Sequence, residues 1–167
     1  MKTVNLIKLA VAIVAAVYFL WCAADPGQWH FIDTVNLLIH EAGHIIFMPF
    51  GQFLYVLGGS LTQVLFPALF VIYFIRENDF YSSALTLFWV GENLLNVSVY
   101  AGDSIKMQLP LLGDSSMHDW NWLLTNTGLL PHTDGIALII RLVGTLTIIF
   151  AAVWAIYWAI QENKVLK

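Results

Sequence analysis

Residues 35–47 read VNLLIHEAGHIIF, an apolar segment that carries an H-E-x-x-H pattern. On an α-helix, side chains four positions apart lie on the same face, so His40 and His44 can reach one metal ion. Glu41 lies beside them, where its carboxylate can take a proton from a metal-bound water. Ionisable side chains are costly within apolar sequence, which favours a functional role for them. The segment therefore predicts a helix that holds a metal site.

The composition indicates a membrane protein. Of the 167 residues, 59% are hydrophobic and 11% are charged, whereas about a quarter of the residues in soluble domains are charged. A chain of this length predicts a single membrane domain, residues 1–167, with membrane lipids as its surroundings. The net charge of −4 and the lack of a basic patch argue against nucleic acid as a partner. Cys22 is the single cysteine, so His, Asp or Glu side chains must hold any metal.

Apolar segments separated by polar breaks predict an all-α integral membrane protein with about five transmembrane helices, since crossing requires about 20 mostly apolar residues. The predicted spans cover residues 4–24, 31–48, 61–75, 81–101 and 136–160. We interpret the first span as a signal anchor that is not cleaved.

Two segments outside the predicted spans have distinct characters. Residues 50–60 contain Gly51, Gly58 and Gly59 and predict a glycine-rich loop. Residues 102–135 are polar but interspersed with tryptophans and leucines, which predicts a short interfacial helix on the membrane surface.

The number of spans predicts which groups share a membrane face. Five spans would place the H-E-x-x-H motif, the end of the fourth span and the interfacial segment on the face where the chain begins. The basic residues of that face would be Lys2, Lys8, Lys106 and Arg141, and those of the other face Arg76, Lys164 and Lys167. Because cytoplasmic segments carry the excess of positive charge, this small difference favours a site at the cytoplasmic face.

A catalytic zinc ion usually has three protein ligands and one open position, so the motif lacks one ligand. Asp103, at the end of the fourth span, is the favoured third ligand. Glu92 within that span and His118 in the interfacial segment are the alternatives. Metal-bound histidines are usually held through their other ring nitrogen, and we expect Asn96 and Asp119 to provide such support.

The motif within an apolar span, followed by a glycine-rich stretch, resembles the site-2 protease family of intramembrane zinc metalloproteases. The chain as a whole is similar to small, peptidase-like bacterial members of that family. There, a helical H-E-x-x-H and an aspartate from a later motif, approximately N-x-x-P-x-x-x-L-D-G, hold Zn²⁺. Asn96 matches the asparagine of the later motif and Asp103 falls one residue before the position of its aspartate, whereas Val99 replaces its proline and Ser104 its glycine. The resemblance implies a protein of the bacterial inner membrane.

The leading functional hypothesis is zinc-dependent hydrolysis of peptide bonds at or within the membrane. Zn²⁺ would activate a water molecule and Glu41 would act as general base on a transmembrane or membrane-proximal peptide. One alternative is a non-catalytic membrane protein that binds a metal or a partner helix. Another is a zinc-dependent lipid amidase, although that enzyme would not require Glu41 within the motif.

Overall fold

The computed structural model describes residues 4–110 and 117–161, and within these ranges the protein is all-helical. The helices are α1 (Leu6–Ala24), α2 (Phe31–Phe47), α3 (Gln52–Arg76), α4 (Phe80–Gly102), α5 (Asp119–Asn126) and α6 (Thr133–Gln161). Short 3₁₀ turns at Met48–Phe50 and Leu130–His132 precede α3 and α6. The predicted all-α class is confirmed.

In the part of the chain that the structure describes, three helices are long and apolar enough to cross a membrane: α1, α3, and α6 together with its preceding turn. This is consistent with membrane association, but it does not support the five predicted spans. Helix α2 has only 17 residues, fewer than the ~20 needed for crossing. Helix α4 has 23 residues but carries Glu92, Asn93 and Asn96 in its interior.

The predicted glycine-rich loop is wrong, because residues from Gln52 onward form the first turns of α3. Gly58 and Gly59 lie within this helix and face α2. A Cβ atom at position 58 would lie 2.8 Å from the carbonyl oxygen of Gly43, and one at position 59 would overlap the His40 ring. The glycines therefore allow two helices to pack closely, and they do not make a turn.

Contacts along the helices establish their directions. Helix α1 runs parallel to α4, since the Tyr81 hydroxyl donates to the Lys8 carbonyl at 2.7 Å and Phe19 stacks on Phe88. Helix α3 runs antiparallel to α4 and pairs its last turns with the start of α4. The C-terminal end of α1 and the N-terminal end of α3 thus lie at the same end of the bundle. Helix α2 connects them and runs antiparallel to α3: Ile32, near its start, lines a groove with Phe70 and Phe74, whereas His44, near its end, contacts Tyr55 at that end of the bundle.

This topology corrects the predicted sidedness. The motif helix, the end of α4 and α5 do converge, but at the end of the bundle opposite the start of α1. Lys8, which was counted on the same face as the motif, lies near the start of α4 at the far end. Lys2, Lys164 and Lys167 lie outside the described residues. The count of basic residues therefore no longer favours a cytoplasmic site.

Small side chains form many of the contacts between α1, α4 and α6. The buried alanines of this core are Ala12, Ala16, Ala23, Ala84, Ala151, Ala155 and Ala159. Gly91 of α4 meets Gly144 of α6, where a Cβ atom on either residue would lie within 3 Å of the other's carbonyl oxygen. Small residues of this kind let helix backbones approach each other in lipid, where helix association depends on close packing.

We expect Gly91→Ala to destabilise the bundle, because the added Cβ would lie 2.7 Å from Ile148 Cγ1. Overpacking of this kind costs about 1–3 kcal/mol. The matched control is Gly135→Ala in α6, whose Cβ meets no atom within 4 Å. Thermal unfolding in detergent should show a lower midpoint for Gly91→Ala alone, and equal midpoints for both variants would contradict the predicted α4–α6 contact.

Candidate metal centre

His40, His44 and Asp119 form a cluster whose potential ligand atoms all lie within 4.8 Å of one another. The Oδ2 atom of Asp119 lies 3.0 Å from His40 Nε2 and 3.1 Å from His44 Nε2. His40 and Asp119 are buried, and His44 is half-buried. We call these three residues the His–His–Asp cluster.

The protonation of the His44 ring follows from its backbone partner. Its Nδ1 atom lies 2.8 Å from the carbonyl oxygen of Tyr55. A carbonyl oxygen can only accept a hydrogen bond, so Nδ1 must carry the proton. In the neutral ring, Nε2 then presents a lone pair, which is the form of histidine that binds a metal.

A chain of directed hydrogen bonds orients His40 in the same way. The Asp33 carboxylate accepts from Asn96 Nδ2 at 3.0 Å, which turns Asn96 Oδ1 toward Gln63 Nε2 at 2.7 Å. Gln63 Oε1 therefore faces His40 Nδ1 at 3.1 Å and accepts its proton. Because each amide has one donor end and one acceptor end, the bond at Asp33 fixes the direction of the other two bonds in the chain.

Both Nε2 lone pairs and a carboxylate oxygen thus converge on one point, and this arrangement requires positive charge between them. Burial raises the pKa of Asp119, but hydrogen bonds with His40 and His44 outweigh burial and hold this pKa below its usual value. Protons can supply the charge, and so can a metal ion. Tetrahedral zinc separates its N and O ligands by roughly 3.3 Å, close to the distances seen here.

Helix α5 brings Asp119 to the histidines. The Asp119 backbone N–H donates to the Tyr100 hydroxyl at 3.1 Å, and Asn121 Nδ2 donates to the Ser104 carbonyl at 2.8 Å. The indole of Trp120 donates to Ser60 Oγ on α3. These bonds attach the first turn of α5 to both α3 and the end of α4.

The structure places Asp103, the favoured third ligand, beside His118 and not beside the two histidines of α2. Asp103 Oδ2 lies 3.4 Å from His118 Nε2, and the carboxylate accepts the backbone N–H groups of Gln108 and Leu109. Burial lowers the pKa of His118 more than Asp103 raises it. His118 Nδ1 accepts from the backbone N–H of Asn121, so this ring caps α5. Asp103 and His118 therefore support the helix that carries Asp119.

The other predicted site residues lie deeper between α2, α3 and α4. Glu92 accepts from Asn36 Nδ2 at 2.6 Å and is not part of the His–His–Asp cluster. Asn96 acts on His40 through Gln63. Sequence reasoning assigned Asp119 a supporting role and did not identify Gln63. The available signals were the adjacent His118–Asp119 pair and a glutamine within an apolar helix.

A cavity of about 140 Å³ opens beside the cluster. It lies between the α1–α2 turn, α2 and the end of α4, and both His40 and Glu41 line it. Glu41 is exposed, whereas His40 is buried. A molecule in this cavity would therefore contact both the cluster and the predicted general base.

No protein-family model matches this chain, and no curated protein or solved structure matches it either. The resemblance to the site-2 protease family therefore stays a prediction carried by the residues of the motif.

We expect Asp119→Asn to weaken zinc binding by more than the roughly 10- to 100-fold typical of losing a supporting residue. Asp103→Asn is the matched control, because it makes the same change of carboxylate to amide and its amide oxygen can still accept one of the two backbone N–H groups. Metal analysis and competition with a chelator would measure both variants. If Asp103→Asn loses zinc and Asp119→Asn keeps it, the third ligand has been assigned to the wrong aspartate.

We expect Gln63→Leu to lower zinc affinity by roughly 10- to 100-fold, because His40 Nδ1 would lose the acceptor that fixes its tautomer. Gln63→Glu keeps an acceptor and should retain more of the affinity. Chelator competition compares the two proteins, and circular dichroism checks that both remain helical. Equal losses would indicate that the size and burial of the side chain matter, and not its acceptor.

Proposed function

We propose that this protein is a membrane-associated zinc-dependent hydrolase that cleaves peptide bonds. The observation that carries this proposal is the convergence of two histidine Nε2 atoms and one carboxylate oxygen next to an H-E-x-x-H glutamate. An accessible cavity adjoins the same residues. The predicted activity follows from the combination of three potential metal ligands, a general base and an accessible cavity.

The composition of the cluster favours a catalytic site over a structural one. Structural zinc sites are closed by four protein ligands, whereas catalytic sites have three and keep a position for water or substrate. Within residues 4–110 and 117–161, the cluster contains three such side chains, two histidines and one aspartate. That donor set suits zinc, which accepts both imidazole nitrogen and carboxylate oxygen.

Each residue has a distinct role in the proposed reaction. His40, His44 and Asp119 would hold the ion, which when bound lowers the pKa of a water molecule and polarises the scissile carbonyl. Glu41 takes the proton of the attacking water and passes it to the leaving amine. Gln63 and the Tyr55 carbonyl keep both imidazoles in the binding tautomer.

The location of the site limits the substrates that can reach it. The cluster lies at the end of the bundle where α1 ends and α3 begins, and the first half of α3 packs against α2. The substrate we propose is a peptide segment in or near the membrane surface at that end. We propose an inner-membrane location in bacteria, in keeping with the family resemblance.

Glu41→Gln should reduce peptide cleavage by at least roughly 100-fold, the lower end of the contribution of general acid–base catalysis, while zinc remains bound. Glu77→Gln at the far end of α3 is the matched control and should leave cleavage unchanged. Purified protein in detergent would be incubated with a library of apolar peptides, and mass spectrometry would count the products.

Retained cleavage in Glu41→Gln would refute the proposed mechanism. A wild-type protein that binds zinc but cleaves no peptide would favour the non-catalytic metal-binding alternative. Release of fatty acid from amide-linked lipids, unaffected by Glu41→Gln, would instead favour the lipid amidase.

A further inference from the structure

We propose that the cavity beside His40 and Glu41 is a subsite for one apolar side chain of the substrate, of leucine to phenylalanine size, next to the scissile bond. This inference rests on the proposed function and names the substrate class that the site selects.

The position of the cavity connects it to the reaction. His40 belongs to the His–His–Asp cluster, Glu41 is the proposed base, and both line the cavity. Consecutive Cα atoms of a peptide lie about 3.8 Å apart. A peptide whose carbonyl lies at the cluster therefore places a flanking side chain at the mouth of this cavity.

The volume of the cavity limits the size of that side chain. It measures about 140 Å³. An engineered protein cavity of about 150 Å³ with apolar walls binds benzene. Leucine, methionine and phenylalanine side chains fall within this size, whereas alanine would leave most of the space unfilled and would lose contacts.

The walls of the cavity favour an apolar occupant. Its lining includes the apolar or aromatic side chains of Trp29, Leu37, Val99, Tyr100, Leu109 and Pro110. Each methylene group that moves from water into such surroundings contributes about 0.8 kcal/mol, or roughly a fourfold gain in affinity.

The polar part of the lining disfavours acidic occupants and polar occupants that compete for its hydrogen bonds. Asp33, Asn96 and Gln63 line the cavity but already bond to one another in the chain that orients His40. A polar side chain that competed for these groups would disturb the orientation of the imidazole. The carboxylates of Asp33 and Glu41 would also repel an acidic side chain.

Binding of metal-directed ligands tests the subsite without relying on turnover. We would measure the affinity of the zinc-loaded wild-type protein in detergent for N-acetyl hydroxamates of alanine, leucine, phenylalanine and aspartate. The hydroxamate group chelates zinc, and the side chain probes the cavity. We expect leucine to bind about ten- to fiftyfold more tightly than alanine, from its additional carbon atoms, and aspartate to bind more weakly than alanine.

Variants of two adjacent residues on α2 test whether this cavity causes the preference for leucine over alanine. Leu37 lines the cavity, whereas its neighbour Leu38 is 67% exposed and does not. Leu37→Trp should fill the cavity and remove the preference for leucine over alanine. Leu37→Ala should enlarge it and increase the preference for phenylalanine over leucine. Leu38→Trp and Leu38→Ala are the matched controls, and zinc content is measured in every variant to verify the fold.

The outcomes separate the subsite from the proposed function. Opposite shifts in the two Leu37 variants, with unchanged Leu38 controls, support the subsite. If all hydroxamates bind equally in zinc-loaded wild type and both Leu37 variants, the cavity is not a subsite, although Glu41-dependent cleavage can still stand. If zinc-loaded protein binds no hydroxamate and cleaves no peptide, the proposed function fails and the subsite fails with it.

Discussion

The site depends on positive charge between three electron-rich atoms: Nε2 of His40, Nε2 of His44 and Oδ2 of Asp119. The partners of the two Nδ1 atoms leave both Nε2 atoms without a proton in the neutral rings. Without a cation, three lone pairs would face one another in a largely buried place, which is costly. Much of the surrounding structure therefore serves to hold these atoms together, and either protons or a metal ion can supply the missing positive charge.

The glycines of α2 and α3 make this geometry available. At Gly43 and Gly58 the two helices approach so closely that a Cβ atom on either residue would meet the other's backbone. This approach lets the Tyr55 carbonyl reach the His44 ring, even though that carbonyl belongs to the first turns of α3. Gly59 leaves room for the His40 ring beside α3. The same glycines that resemble a loop in the sequence are thus what place two imidazoles against a neighbouring helix.

Local features of the chain were predictable, and features that depend on tertiary packing were not. Apolar periodicity and the motif identified α2 to within a residue at its C-terminal end, because these signals are local. The glycine-rich stretch was misread because glycine fits both a turn and a close helix contact. Which aspartate joins the two histidines was beyond prediction, since Asp103 and Asp119 both follow α4 in sequence, and only the docking of α5 on Ser60 and Ser104 distinguishes them.

The hydrogen-bond chain from Asp33 to His40 explains why so many polar groups lie in a largely apolar bundle. An amide side chain has a donor end and an acceptor end. In a row of hydrogen-bonded amides, the donor-to-acceptor direction of the first bond therefore sets the direction of all the others. Asp33 begins the row by accepting from Asn96, and its second oxygen accepts the backbone N–H of His30 at the start of α2. Replacing any member by an apolar residue would leave a buried partner unsatisfied, which costs about 1–3 kcal/mol. Replacing Asp33 by asparagine would keep the bonds but allow the row to reverse, so that Gln63 could present its NH₂ group to His40. The carboxylate at position 33 therefore acts on His40 through two intervening amides, and the direction of this row keeps the His40 Nε2 lone pair facing the other members of the His–His–Asp cluster.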